Sequence, residues 1–229
     1  MPYRVERIEP SKTALIVVDM QHDFLEFPSL AARAAQIILP NLRRAIAFCR
    51  QNGIRIVYTT HVHRYDGTDL GLFAISSPKI ASGAILADGS PGAEIHPAIA
   101  PLPGDIVIKK HRFSAFYGTD LEIVLRGLGV DAVVIAGVTT ENCCHATARD
   151  AFFRDYKVVF LSDATGAPDY LDVGQGGMSG AEVHQATLVV LSNSTADVLS
   201  TDDFLARTAI PQMMPTARCH TWGAGVACA

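Results

Sequence analysis

Three side chains able to take part in nucleophilic chemistry follow three separate apolar runs of the sequence. These are Asp19, Lys110 and Cys143. A carboxylate can take the proton of a thiol, and an ammonium can stabilise the resulting thiolate. If the apolar runs are parallel strands, their carboxyl ends meet at one edge of a sheet. The three groups would then suit the hydrolysis of an amide. Lys109 is the competing choice for the ammonium; otherwise it is a solvated charge at the end of a strand.

Cys143 stands where a predicted strand, 132–136, turns into a predicted helix. The turn spans 137–142, and the alanines after the cysteine favour a helix. A thiol at such a bend is well placed as a nucleophile. The free amide groups of the helix N-terminus favour thiolate over thiol and can hold an oxyanion. The same residue also fits a small buried hydrophobe, where a cysteine usually sits, and this stretch alone leaves both interpretations open.

Alternating strand and helix patterns predict the fold class: a three-layer α/β fold with a doubly wound parallel sheet of about six strands. Helical spacing is present in 31–52, but Pro40 interrupts it, so the first part is predicted to be a separate turn or helix start. The chain, 1–229, is predicted to be a single domain with its core at about 13–207 and an irregular tail at 208–229. The strands are predicted at 13–18, 54–60, 106–108, 132–136, 156–161 and 196–199.

Composition excludes several classes of protein. Hydrophobic residues make up 49% and charged residues 18% of the 229 residues, which fits a compact enzyme rather than a disordered chain. The net charge of −4 without a basic run argues against nucleic acid as a partner. No apolar stretch reaches the roughly 18 residues of a membrane span. The charged N-terminal segment does not resemble a secretory signal. The five cysteines do not have the paired CxxC spacing of a zinc site. A cytoplasmic location with free thiols is therefore expected.

Three motifs together resemble the isochorismatase-like cysteine hydrolase superfamily, which includes nicotinamidases, N-carbamoylsarcosine amidases, ureidoacrylate amidases and biuret hydrolases. Each motif is weak by itself, but their order and spacing match one such domain over roughly 13–205. The motifs are Val-Asp-Met-Gln-His-Asp-Phe at 18–24, Lys-His-Arg-Phe-Ser-Ala-Phe at 110–116, and Gly-Val-Thr-Thr-Glu-Asn-Cys at 137–143, followed by Thr-Ala-Arg-Asp-Ala at 147–151. The resemblance implies a Rossmann-like fold, a small amide or ureide substrate and a homo-oligomer, either a dimer or a tetramer.

The resemblance also implies roles for individual residues. Asp19 matches the general base, Lys110 the electrostatic partner and Cys143 the nucleophile that forms a thioester. A cis peptide bond is expected between Val138 and Thr139, because the family has one in this turn. The amides of Thr139 and Cys143 would then form the oxyanion hole.

Five further residues are expected to contact the substrate. Gln21 and Phe24 follow the catalytic strand in a loop that borders the pocket in the family. Phe113 and Phe116 suit a small planar amide, and Arg112 could hold a substrate carboxylate. The alternative is core packing for the three phenylalanines and structural pairing for Arg112. Specificity is expected to lie in two loops, 61–104 and 164–180.

The presence of Cys143 favours C–N hydrolysis, because true isochorismatases resemble this chain but tend to have a glycine there. A vinyl-ether hydrolase of isochorismatase type and a non-catalytic fold relative are the alternatives. Nicotinamidases carry an Asp-x-His metal motif, whereas this chain has His61-Val-His63 and then Asp66. No metal and no cofactor are therefore expected, since two alternating histidines more often form hydrogen bonds than a metal site.

Overall fold

A computed structural model describes residues 3–26 and 31–208. In these ranges a six-stranded parallel sheet has the order β3-β2-β1-β4-β5-β6, which confirms the predicted fold class. The predicted tail from 209 onward lies outside the described residues. The strands are β1 Thr13–Val18, β2 Arg55–His61, β3 Ile106–Lys110, β4 Ala132–Val138, β5 Lys157–Gly166 and β6 Asp197–Leu199.

Helices cover both faces of the sheet and make the fold three-layered. One hydrophobic core contains Leu15 and Val17 of β1 with helices α2 and α8, and the other contains Ile16 and Val18 with α5, α6 and α7. This alternation explains why β1 is buried along its whole length. The helices are α1 His22–Leu25, α2 Ala32–Gln51, α3 Phe73–Ser76, α4 Pro78–Ala81, α5 Leu121–Gly127, α6 His145–Phe152, α7 Gly180–Ser192 and α8 Thr201–Arg207.

Helix α2 is continuous, so the expected interruption at Pro40 was wrong. A proline has no N–H to donate to the carbonyl four residues earlier, here that of Gln36. Both residues are exposed, so water can hydrogen-bond to that carbonyl. The apolar face of α2 stays packed on the sheet through Ile38 and Leu42, and this packing holds the helix together across the proline.

The carboxyl ends of the central strands meet at one edge of the sheet. Strand β1 ends one residue before Asp19, β3 ends at Lys110, and β4 ends shortly before Cys143. The connection between β2 and β3 folds over this edge with α3, α4 and two 3₁₀ turns, Pro91–Ala93 and Pro97–Ile99. No helix within 3–26 or 31–208 is long and apolar enough to cross a bilayer.

Candidate active site

Asp19, Lys110 and Cys143 meet at this edge of the sheet. The Nζ atom of Lys110 lies 2.7 Å from Oδ2 of Asp19 and 3.4 Å from Sγ of Cys143. Asp19 and Lys110 have no solvent exposure, and Cys143 is 3% exposed. A carboxylate, an ammonium and a thiol are therefore held in contact and shielded from bulk water, where electrostatic interactions are strong.

Backbone and side-chain contacts fix Asp19 in place. The residue has a left-handed backbone conformation, with φ of 50°. The hydroxyl of Thr59, on the neighbouring strand β2, donates a hydrogen bond of 2.6 Å to Oδ1 of Asp19. Thr59 was not predicted from the sequence, because only the parallel pairing of β1 with β2 brings it beside Asp19.

Lys110 is held as a cation by its neighbours. Its ammonium also donates to the carbonyl of Arg112 at 3.0 Å. Burial alone lowers the pKa of Lys110, but the carboxylate of Asp19 and the contact with Sγ of Cys143 outweigh burial and hold the pKa above its ordinary value. Lys109, the competing choice, lies on the surface and pairs with Asp88 at 2.7 Å. The strand alternation explains the difference, since successive side chains point to opposite faces.

Cys143 lies in a π-helical turn, Thr140–Cys144, that leads into α6. Burial raises the pKa of its thiol, and Lys110 opposes that effect while the Asp19 carboxylate adds to it. Burial and the adjacent carboxylate hold the pKa of the thiol above its ordinary value against the effect of the lysine, so the thiol needs a base. The expectation that the helix N-terminus favours a thiolate stays a prediction.

The turn between β4 and Cys143 depends on a glycine. Gly137 has φ of 116°, and a Cβ atom there would lie 2.2 Å from the carbonyl oxygen of Val18 on β1. Only glycine allows this conformation together with so close an approach of two strands. The peptide bond between Val138 and Thr139 is cis, as the resemblance implied.

His184 holds the same turn from the other side. Its Nε2 lies 2.9 Å from the carbonyl of Ser162, and its Nδ1 lies 2.9 Å from Oγ1 of Thr140. A carbonyl can only accept, so Nε2 carries the proton and Nδ1 accepts from the threonine hydroxyl. No role was assigned to His184 from the sequence, and the structure shows that it anchors the catalytic turn.

A cavity of about 960 Å³ opens above Cys143. Two of the expected substrate contacts, Phe24 and Phe113, line it together with Thr139. Phe73, which was not predicted, completes an aromatic wall with a ring 5.3 Å from that of Phe113. The lining of the cavity therefore includes aromatic side chains as well as polar ones such as Glu141 and Asn142.

The other three expected contacts are not among the cavity-lining residues. The side chain of Gln21 is buried, accepts from the His61 amide at 2.8 Å and donates to the His61 carbonyl at 3.1 Å, so it holds the end of β2. Arg112 donates to the carbonyl of Asp69 at 2.9 Å. Phe116 is buried in the core against Tyr156, with ring centroids 5.9 Å apart. Their contacts are structural, which is the alternative that the sequence left open for Arg112 and Phe116.

A row of polar side chains runs from the cavity wall to the surface. The Nε2 atoms of His61 and His63 lie 3.2 Å apart, and Nδ1 of His63 lies 3.4 Å from Oδ1 of Asp69. Oδ2 of Asp69 lies 3.1 Å from Nδ1 of His111. The sequence indicated Asp66 as the nearby carboxylate, but Asp66 accepts hydrogen bonds within its own turn. The fold of the loop, rather than sequence distance, selects Asp69.

Two sets of side chains in this region combine donor types that metal ions also use. Asp19, His61 and Cys143 form one set, and His63, Asp69 and His111 form the other, with the donor atoms within 4.8 Å of one another in each. The first set surrounds an ammonium, since Lys110 contacts both Asp19 and Cys143. The expectation of no metal stays a prediction.

Tyr170 connects the loop after β5 to the catalytic turn. Its hydroxyl donates to Oε1 of Glu141 at 2.7 Å and accepts from Nδ2 of Asn142 at 2.9 Å. The same carboxylate oxygen accepts from the hydroxyl of Thr139 at 2.7 Å. Glu141 therefore joins three side chains, those of Thr139, Asn142 and Tyr170, at the rim of the cavity.

Comparison with known proteins gives consistent matches along the chain. The isochorismatase domain model matches residues 13–203, a span that includes all three residues of the Asp-Lys-Cys group. A probable inactive nicotinamidase of Arabidopsis thaliana is 35% identical over 79% of this chain and 88% of that protein. A ureidoacrylate amidohydrolase of Pantoea ananatis is 33% identical over 68% of this chain and 70% of that protein.

Among solved structures, a cysteine hydrolase from Pseudomonas syringae pv. phaseolicola superposes with a TM-score of 0.85. Its sequence is 35% identical, and the superposition covers 90% of this chain and 96% of that chain. The similarity therefore extends over most of both chains.

Proposed function

Because this chain belongs to the isochorismatase family of hydrolases, we propose that it cleaves the C–N bond of a small non-peptide amide or ureide through a thioester at Cys143. The observation that carries the proposal is the contact of one buried ammonium, that of Lys110, with both the Asp19 carboxylate and the Cys143 thiol. Relatives named for the hydrolysis of ureidoacrylate and nicotinamide support the bond type.

The first half of the reaction forms the thioester. Asp19 takes the proton of the Cys143 thiol, and the thiolate attacks the carbonyl carbon of the substrate. Lys110 keeps its charge throughout and offsets the negative charge that passes from carboxylate to sulfur. When the C–N bond breaks, Asp19 gives its proton to the leaving nitrogen and is again a carboxylate.

The second half consumes one water molecule. The water attacks the thioester carbonyl carbon and passes a proton to Asp19, the C–S bond breaks, and the proton returns to Cys143. In both halves the tetrahedral oxyanion is held by the amides of Thr139 and Cys143, two residues that line the cavity. A donor in such a position contributes about 2.7–4 kcal/mol to the transition state.

The cavity supports a small and partly apolar substrate. Phe24, Phe73 and Phe113 line the same cavity as Cys143, and flat aromatic faces suit a planar carboxamide or ureide. Gln21, Phe116 and Arg112 do not enter this proposal as direct contacts, because other parts of the protein occupy their side chains.

The test is release of ammonia from a panel of nicotinamide, N-carbamoyl amino acids, biuret, ureidoacrylate and maleamate. Wild type is expected to release ammonia from at least one of them, and Cys143→Ala to lose that activity. Cys144→Ala is the matched control, since it removes the neighbouring buried thiol, which packs in the core. Retained turnover in Cys143→Ala would instead favour a thiol-independent hydrolase, such as a vinyl-ether hydrolase.

Assembly and location are also proposals. A homo-oligomer, either a dimer or a tetramer, follows from the family resemblance, and sedimentation velocity at several protein concentrations tests it. A cytoplasmic location is supported by Cys49, Cys143 and Cys144, the cysteines within the described residues, all of which are free and buried. Fractionation of the cells that produce the protein tests this location.

A further inference from the structure

His61 is a buried residue in the cavity wall that the reaction described above does not use. It is 2% exposed, and one of its ring nitrogens lies within 4.8 Å of both a carboxylate oxygen of Asp19 and Sγ of Cys143. The ring packs edge-to-face against Phe73 and Phe113. These contacts fix the plane of the imidazole beside the two groups that carry out the chemistry.

The neighbours of His61 determine which ring nitrogen carries its proton. Nδ1 of His63 lies 3.4 Å from the carboxylate of Asp69 without a well-aligned hydrogen bond, but the negative charge there favours a proton rather than a lone pair on Nδ1. Its Nε2 is then an acceptor, and the nitrogen 3.2 Å away, Nε2 of His61, must donate. Nδ1 of His61 is left with a free lone pair.

Both imidazoles are neutral, as this arrangement requires. Burial and the nearby charge of Lys110 hold the pKa of His61 well below its ordinary value. Burial also lowers the pKa of His63, although Asp69 opposes that effect. A second proton on His63 would go to Nε2 and place two N–H groups against each other across the short contact between the rings. A second proton on His61 would go to Nδ1 and remove its lone pair.

We propose that Nδ1 of His61 accepts a hydrogen bond from the hydrolytic water and orients it toward the thioester, and that His63 and Asp69 fix the tautomer that allows this. The inference rests on the proposed thioester at Cys143. Asp19 takes one proton of the water as the oxygen attacks the carbonyl carbon. His61 accepts a hydrogen bond from the other hydrogen and gains no proton, so it is a positioning residue.

The inference separates the two halves of the reaction. Formation of the thioester consumes no water, so loss of His61 should leave acylation near its normal rate. Hydrolysis of the thioester needs an oriented water, and poor orientation of a reactant can cost about 10²-fold in rate. The expected signature is therefore an acylated Cys143 that accumulates.

The experiment uses p-nitrophenyl acetate, whose acetyl group acylates a nucleophilic thiol with release of p-nitrophenolate. In wild type, a burst reports acylation of Cys143 and the following steady state reports deacylation. His61→Phe keeps the aromatic packing and removes the hydrogen-bond acceptor. Its steady-state rate is expected to fall about 10²-fold, while the rate of its burst stays within about threefold of the wild-type rate. Mass spectrometry should then find acetyl on Cys143. His61→Asn, whose Oδ1 can take the place of Nδ1, should recover part of the loss.

Asp69→Asn tests the second part of the inference. It weakens the preference of His63 for a proton on Nδ1, so deacylation is expected to fall about tenfold. Asp66→Asn is the matched control in the same loop, because Asp66 contacts only its own turn, and it should stay within about twofold. Nitrogen chemical shifts of labelled histidines should show His61 protonated at Nε2 and His63 at Nδ1.

Some results would refute the inference alone, and others would refute the proposed function as well. The inference would be overturned, and the proposed function left intact, by either of two results. One is a steady-state rate of His61→Phe within about threefold of the wild-type rate. The other is an equal loss in the burst rate and in the steady-state rate. If mass spectrometry finds acetyl on Cys143 neither in wild type nor in His61→Phe, or if a burst survives Cys143→Ala, the proposed function and the inference with it are overturned. The opposite pair of tautomers would refute the hydrogen-bond order independently of any activity.

Discussion

Replacement of Asp19 by asparagine should make Cys143 more reactive toward alkylation while it abolishes turnover. In the resting protein the Asp19 carboxylate adds to the burial that raises the pKa of the Cys143 thiol. In the proposed reaction the same carboxylate takes the thiol proton. Asp19→Asn removes both the base and the repulsion between the Asp19 carboxylate and a thiolate at Cys143. Within the Asp-Lys-Cys group, Lys110 is then left with the sulfur as its only acidic partner.

The size of the effect follows from the geometry. A carboxylate oxygen of Asp19 and Sγ of Cys143 lie within 4.8 Å, and two unit charges at that separation interact by about 3.5 kcal/mol at an effective dielectric constant of about 20. At a pH well below the thiol pKa, that energy corresponds to about 300-fold more thiolate. Turnover should fall by about 10²–10⁴-fold, the usual contribution of a positioned base.

The assay is the rate of iodoacetamide alkylation of Cys143, measured by peptide mapping from about pH 6 to about pH 9. Since a thiol with a raised pKa stays protonated at higher pH, the wild-type rate should still be rising where an ordinary cysteine would level off. The Asp19→Asn curve should shift to lower pH, with at least tenfold faster alkylation near pH 7. Thr59→Val is the control, because it removes a hydrogen bond to Asp19 and keeps the carboxylate. Alkylation no faster than in wild type would refute the reasoning.

Two further substitutions and one measurement on the unchanged protein have defined outcomes. Gly137→Ala places a Cβ against the Val18 carbonyl, so it should cost about 3 kcal/mol or more and lower the melting temperature by about 6–12 °C; an unchanged melting curve would contradict the close approach of the two strands. Tyr170→Phe removes the hydroxyl that links the rim loop to Glu141, and should raise KM about threefold to tenfold with a smaller change in kcat, whereas an unchanged KM would mean that the loop holds itself in place. Elemental analysis of purified protein should find metal well below one ion per chain, since Nε2 of His63 faces His61; stoichiometric metal would show that the ring instead serves as a ligand.

The sheet was predictable because its strands are continuous apolar runs that carry a local signal. β1 was predicted with its bounds, and β2 within one residue at each end. The length of β5 was missed, because its last residues, 162–166, include polar side chains that satisfy themselves locally, as the Thr165 hydroxyl does on the carbonyl of Leu161. Pro40 misled the prediction for α2 because sequence cannot show that the residue faces water.

Sequence motifs also indicated which side chains are candidates for the chemistry, since Asp19, Lys110 and Cys143 each follow a predicted strand. The parallel sheet then brings them to one edge, because all carboxyl ends lie there. What the motifs could not give is the protonation of Cys143, which depends on how deeply the fold buries the thiol and on its distance to Asp19.

The sequence by itself determined the layered fold, the family and the three reactive groups, because each of these is written in short stretches of neighbouring residues. The tertiary structure decided that Gln21 holds a strand end, that Asp69 rather than Asp66 reaches His63, and that His61 faces the thiol. These contacts join residues from different loops and strands. A side chain is directed by the neighbours that the fold places around it, and no local pattern of residues records those neighbours.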